Sequence, residues 1–138
     1  MQRFVLDASM ALSWYFRDEK SDVSDLALAM TDNHQLLVPP HWFSEVANGI
    51  RQGERRGRCD VIDAQMFITQ LASMEFAIER LAPFDQFETI LPLARIHELT
   101  VYDAIYLHLA MIGMEPLATL DKGLARAARS LGIAVVGD

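Results

Sequence analysis

Short apolar runs, each too brief for a helix, recur along this chain between longer stretches of helical spacing. Residues 3–6 (RFVL), 36–38 (LLV), 116–120 (PLATL) and 133–136 (IAVV) read as buried strands. Residues 75–81 (EFAIERL) admit a strand or a helix turn, and Phe76 and Ile78 favour the strand. Helical patterns fill the intervals, over 8–16, 22–32, 41–55, 60–73, 83–98, 102–112 and 122–131. Pro39 and Pro40 stop the second strand, while Gly57 and Gly132 end helices. Such alternation specifies an α/β fold: a three-layer α/β/α sandwich with a central, mostly parallel sheet. No repeat or linker divides the 138 residues, so one domain over 1–138 is expected.

Four acids stand at the junctions of this pattern. Asp7 (FVLDAS) and Asp121 (ATLDKGLARAA) each end an apolar run and open a helical one. In open sheets of this kind ligands bind beyond the carboxyl ends of the strands, where these two acids fall. Glu45 (FSEVANGI) and Asp103 (TVYDAIYLHLA) lie in the first turns of helical patterns. Each acid has a plain structural role open to it. Asp7 and Asp121 suit helix N-caps. Asp103 follows Thr100 at close to a capping-box spacing, and Glu45 suits a solvated first turn. The helix after Asp103 has little polar surface, however, and an acid opening a buried helix needs a partner or a metal. Four carboxylates gathered together repel strongly at low dielectric. An oxygen-only donor set then favours a hard cation, Mg²⁺ or Mn²⁺. Ser9, Asn48 and Thr119 stand two or three residues from an acid and suit an orienting role beside it.

Composition narrows the classes of function. The net charge of −7 argues against a protein that grips nucleic acid over its whole surface. The local exception is RQGERRGR, with Arg51, Arg55, Arg56 and Arg58 against one acid, Glu54, at the tip of a helical hairpin over 41–73. These arginines suit contacts to nucleic-acid phosphates or a solvated hairpin tip, and the two readings stay open. The histidines form no zinc-type spacing with one another or with Cys59. The lone cysteine, the lack of an apolar leader and the lack of a membrane-length apolar run suit a protein of the reducing cytoplasm, away from membranes.

The segments FVLDAS, SEVANGI, TVYDAIYLHLA and ATLDKGLARAA resemble, in order and spacing, the four acidic motifs of the PIN-domain ribonucleases. The resemblance is nearest to the VapC toxins of toxin–antitoxin pairs and covers essentially the whole chain. It implies a PIN-like sandwich and assigns metal-binding or catalytic roles to Asp7, Glu45, Asp103 and Asp121. Asn48 takes a supporting role, and Ser9 and Thr119 line the site. It further implies Mg²⁺ or Mn²⁺, RNA as substrate, a homodimer, and a cognate antitoxin that blocks the site. Water activated at such a centre would cleave in line, leaving a 5′-phosphate and a 3′-hydroxyl. Two other readings accompany this one: a housekeeping RNA-processing nuclease of the same fold, and a non-catalytic binding module that keeps the acids as caps. A phosphoacceptor receiver domain ranks lower, because Lys122 sits at a helix start rather than at the end of a late strand.

Overall fold

The computed structural model describes residues 2–138. Its sheet has four strands, β1 (Gln2–Leu6), β2 (His34–Val38), β3 (Phe76–Ile78) and β4 (Leu117–Ala118), in the order β3-β2-β1-β4. All pairings are parallel, with Val5 opposite Leu37 on one side and Leu117 on the other. Phe4, Val5 and Leu6 of the central strand are fully buried. Burial on both faces is why this strand reads as a continuous apolar run rather than an alternating one.

Among the described residues, seven α-helices surround the sheet in the α/β/α arrangement: α1 (Ala8–Tyr15), α2 (Asp22–Met30), α3 (His41–Arg55), α4 (Val61–Ala72), α5 (Leu91–His97), α6 (Val101–Gly113) and α7 (Lys122–Ser130). Helix α1 packs against α2 and α3, while α6 packs against α5, α7 and strand β1. Local chemistry sets several starts. Asp7, Ser21, Asp60, Thr100 and Asp121 each cap a helix by accepting a backbone N–H. Trp14 Nε1 donates to the Ser24 carbonyl at 2.9 Å and ties α1 to α2. In α3, a Cβ on Gly49 would run into the Leu12 side chain, so this glycine lets α1 and α3 approach closely. Tyr106 and Leu107 of α6 are buried in the core, as the apolar character of 102–112 requires.

Two expected elements take another form. The helix expected over 83–98 is present but irregular: a π-type stretch over Gln86–Ile90 runs directly into α5 at Leu91. Pro92 lacks the N–H that would bond back toward Glu88, and its ring crowds the preceding turn, so a regular helix cannot run through. The strand expected over 133–136 is reduced to one bridge, Val135 beside Leu117. Gly132 and Gly137 flank that segment at φ +75 and +98, which turns the chain away from the sheet at both ends. Strand β4 is shorter than expected for a related reason. Beyond Ala118, the Leu120 and Asp121 N–H groups donate to the Ser9 and Thr119 hydroxyls instead of to a ladder.

Candidate active site

The parallel register aligns Leu6 with Ala118, so β1 and β4 end side by side. Asp7 and Thr119 are the next residues of each chain segment. Asp7 is 3% exposed, and both of its carboxylate oxygens are engaged. Oδ1 accepts from Ser9 Oγ at 2.7 Å and from the Met10 N–H at 2.9 Å, and Oδ2 accepts from the Thr119 hydroxyl. Thr119 Oγ1 in turn accepts from the Asp121 N–H at 3.0 Å, and Ser9 Oγ from the Leu120 N–H at 3.3 Å. The two hydroxyl residues thus lock the ends of two strands around one acid. Asp121 stands beside them and caps α7 through the Leu124 N–H at 2.9 Å.

Asp103 opens α6, where its N–H donates to Thr100 Oγ1 at 3.1 Å. Burial, and then the charges of Asp121 and Glu45, push its carboxyl above the ordinary range. Asp7 is pushed up to about 6, chiefly by burial; hydrogen bonds from Thr119, Met10 and Ser9 oppose this, and the charge of Asp103 adds to it. Asp103 therefore lies within electrostatic reach of each of the other three acids. Among the described residues, no three His, Cys, Asp or Glu side chains stand close enough to hold one ion between them.

Glu45 behaves differently. It projects from α3, and its Oε1 accepts from Tyr106 Oη at 2.6 Å. His41, one turn earlier, brings Nε2 to 3.2 Å of the same oxygen, an ion-pair distance off the line of a hydrogen bond. Burial pushes the Glu45 carboxyl up, but His41 and Tyr106 outweigh it and hold the acid below its ordinary range. Burial, then Glu45, pushes the Tyr106 hydroxyl far up, so it remains a donor. The site thus pairs a firmly ionised Glu45 with two carboxyls that resist ionisation, Asp7 and Asp103. Separated environments of this kind are typical of functional sites.

His41 and Tyr106 were not singled out by the acid motifs. Their signals were the i,i+4 spacing of His41 and Glu45 and the i,i+3 spacing of Asp103 and Tyr106. Asn48 is exposed one turn beyond Glu45 on α3. The arginines divide. Arg58 stands over the Phe16 ring at 3.9 Å and bridges Asp18 at 2.7 Å and Glu19 at 3.1 Å. Arg51 lies 3.3 Å from Glu54. Arg55 and Arg56 are exposed at the hairpin tip, roughly 15 Å along α3 from Glu45 at 1.5 Å per residue.

The donor chemistry suits a hard divalent ion: four carboxylates, two of them raised by burial and by the charge of neighbouring acids, with hydroxyls beside them. Comparison with known proteins gives the family. The model of the PIN domain family matches residues 4–130. Ribonuclease VapC3 of Pyrobaculum aerophilum is 30% identical over 124 residues, covering 89% of this chain and 92% of that protein. The crystal structure of PAE2754 from Pyrobaculum aerophilum superposes with a TM-score of 0.67 at 22% identity, over 91% of this chain and 86% of that one. At that identity the likeness is one of fold.

Proposed function

The chain belongs to the PIN domain family, and from that premise we propose that it is a metal-dependent endoribonuclease, the toxin of a toxin–antitoxin pair. The observation that carries the reading is the placement of Asp103 within reach of Asp7, Glu45 and Asp121, with Asp7 and Asp103 both raised. For Asp7 and Asp103, burial and neighbouring charge outweigh the hydrogen bonds that the polypeptide supplies. The relative named Ribonuclease VapC3 supports the substrate class, and the resemblance of the four acidic motifs to those of the VapC toxins supports the toxin role.

In this reading Asp7, Asp103 and Asp121 hold Mg²⁺ or Mn²⁺ directly or through water, and Glu45 completes the set or orients the attacking water. The ion, when bound, acidifies water and neutralises charge on the scissile phosphate. The chain's own residues do the rest. Ser9, Thr119 and the Met10 N–H fix the Asp7 carboxylate. His41 and Tyr106 keep Glu45 ionised and therefore able to accept a hydrogen bond from water. The products are a 5′-phosphate and a 3′-hydroxyl. The partners are RNA, a cognate antitoxin and a second copy of the chain, in the cytoplasm. Among the described residues no helix is long and apolar enough to cross a membrane.

The decisive test is RNA cleavage by the purified protein with Mn²⁺, against EDTA and against Asp7→Asn and Asp103→Asn. Cleavage that persists in EDTA or in both variants would sink the proposal. Calorimetric Mn²⁺ binding addresses the non-catalytic alternative directly, since acids that serve only as caps bind no ion at millimolar concentration.

A further inference from the structure

Tyr102 directly precedes Asp103 and is 59% exposed, in the first turn of α6. Its inner side is not free. The His41 ring lies against it, with centroids 5.3 Å apart and planes at 56°. His41 also meets Tyr106 edge-on at 5.2 Å. Tyr106 is held by its bond to Glu45 and by the core. The three rings form a ladder that starts in the core and ends with one aromatic in solvent. Rotamer freedom at Tyr102 is thereby reduced before anything binds.

The other exposed aromatics differ. Phe43 packs on Trp42 and Phe76, and Phe84 and Phe87 pair with each other. Tyr102 alone among the described exposed aromatics adjoins a site acid in sequence.

We propose that Tyr102, backed by His41, is a stacking platform for one unpaired base of the RNA, seating the nucleotide next to the phosphate that the acids address. The proposal rests on the nuclease reading above and goes further by assigning a substrate-binding residue and a strand state. Every base offers a π-face, so a platform of this kind tolerates sequence but requires an unstacked base. A-form duplexes keep their bases stacked and their major groove closed to side chains, so duplex RNA cannot use the platform.

The test uses the full chain in an Asp7→Asn background, which stops turnover, with Mg²⁺ present. The probes are poly(U), whose bases are largely unstacked, and the poly(A)·poly(U) duplex. Tyr102→Leu should weaken poly(U) binding at least about fivefold, the lower end of one lost base stack. Tyr102→Phe should restore it, and duplex binding should not change. Tyr102→Trp should report poly(U) by quenched emission, because Trp14 and Trp42 are buried and supply a constant background. Equal poly(U) affinity in Tyr102→Leu, or equal losses for poly(U) and duplex, would overturn the platform. If the parent protein cleaves RNA with Mn²⁺ while Tyr102→Leu binds poly(U) normally, the platform fails and the nuclease reading stands. If the parent neither cleaves nor binds RNA, both fail.

Discussion

Asp7 carries the clearest conflict between stability and chemistry. It caps α1 and bonds to Ser9 and Thr119, yet its carboxyl is pushed up to about 6 from 3.8 by burial. For an acid raised in the folded state, the stabilising contribution is complete below the unfolded value and is lost as pH rises through the folded one. Metal-free protein should therefore lose stability between pH 4 and pH 7, by about 3 kcal/mol from this group at most. Asp7→Asn keeps an oxygen for the Met10 N–H and removes the charge. Urea unfolding in EDTA at pH 7 should show it more stable than the parent and nearly equal at pH 4. A less stable Asp7→Asn at pH 7 would return the residue to an ordinary cap. Tyr106→Phe runs the other way. It deletes a donor that, after His41, helps to hold Glu45 low, so it should cost about 1 kcal/mol at pH 7. The cost should shrink in acid, where Glu45 is protonated in both proteins. At this scale the sequence disclosed the acids, since each sits at a junction of strand and helix patterns. It did not disclose the clamp on Glu45, because Tyr106 belongs to a helix sixty-one residues away whose facing only the packed sheet fixes.

Helix α3 shows how an element is placed by what its glycines omit. Propensity alone favours alanine over glycine inside a helix by about 1 kcal/mol. The packing decides otherwise at Gly53, where a Cβ would stand 2.6 Å from Phe16 Cζ and 3.0 Å from Cys59 Sγ. The Phe16 ring cannot yield freely, because Arg58 covers it and Tyr15 leans on it at 4.9 Å. Gly53→Ala should therefore destabilise by about 1–2 kcal/mol, the overpacking cost less the propensity gain. Phe16→Leu in the same chain should recover part of the loss, and a double-mutant cycle in urea measures the coupling. Arg58 is occupied here by packing and by its bridge to Asp18 and Glu19, which leaves Arg55 and Arg56 as the unpaired cations of the tip. The start of nearly every element was legible, since caps and prolines are local signals. The π-type stretch at Gln86–Ile90 was legible only in part: Pro92 marks a missing N–H in the first turn of α5, but whether the turn before it widens or stops is set by packing. Residues 133–136 misled because apolar character specifies burial, whereas strand length depends on a partner, and β4 supplies only two residues.

At the scale of the molecule, the four acids tie together distant parts of one chain. Asp7 and Asp121 cap the helices after β1 and β4, Glu45 lies on α3, and Asp103 opens α6. The order of strands places β1 beside both β2 and β4, which is what lets segments so separated converge on one edge. The net charge of −7 gives no outside relief to this cluster. An ion bound by the set should then act on the whole fold. A ligand that binds only the folded state adds about 2.7 kcal/mol at one hundred times its dissociation constant. Saturating Mn²⁺ should therefore raise the thermal midpoint of the parent by several degrees, since about 1 kcal/mol shifts a domain of this size by a few. Asp103→Asn should abolish that rise, because it removes the acid that faces the other three. Arg55→Gln, at the far end of α3, should leave it intact. Hydrogen exchange adds a spatial check: Mn²⁺ should slow exchange together at the starts of α1, α6 and α7, since one bound ion links their openings. Slowing confined to α1 would mean that Asp7 binds alone and that the acids do not act as a set.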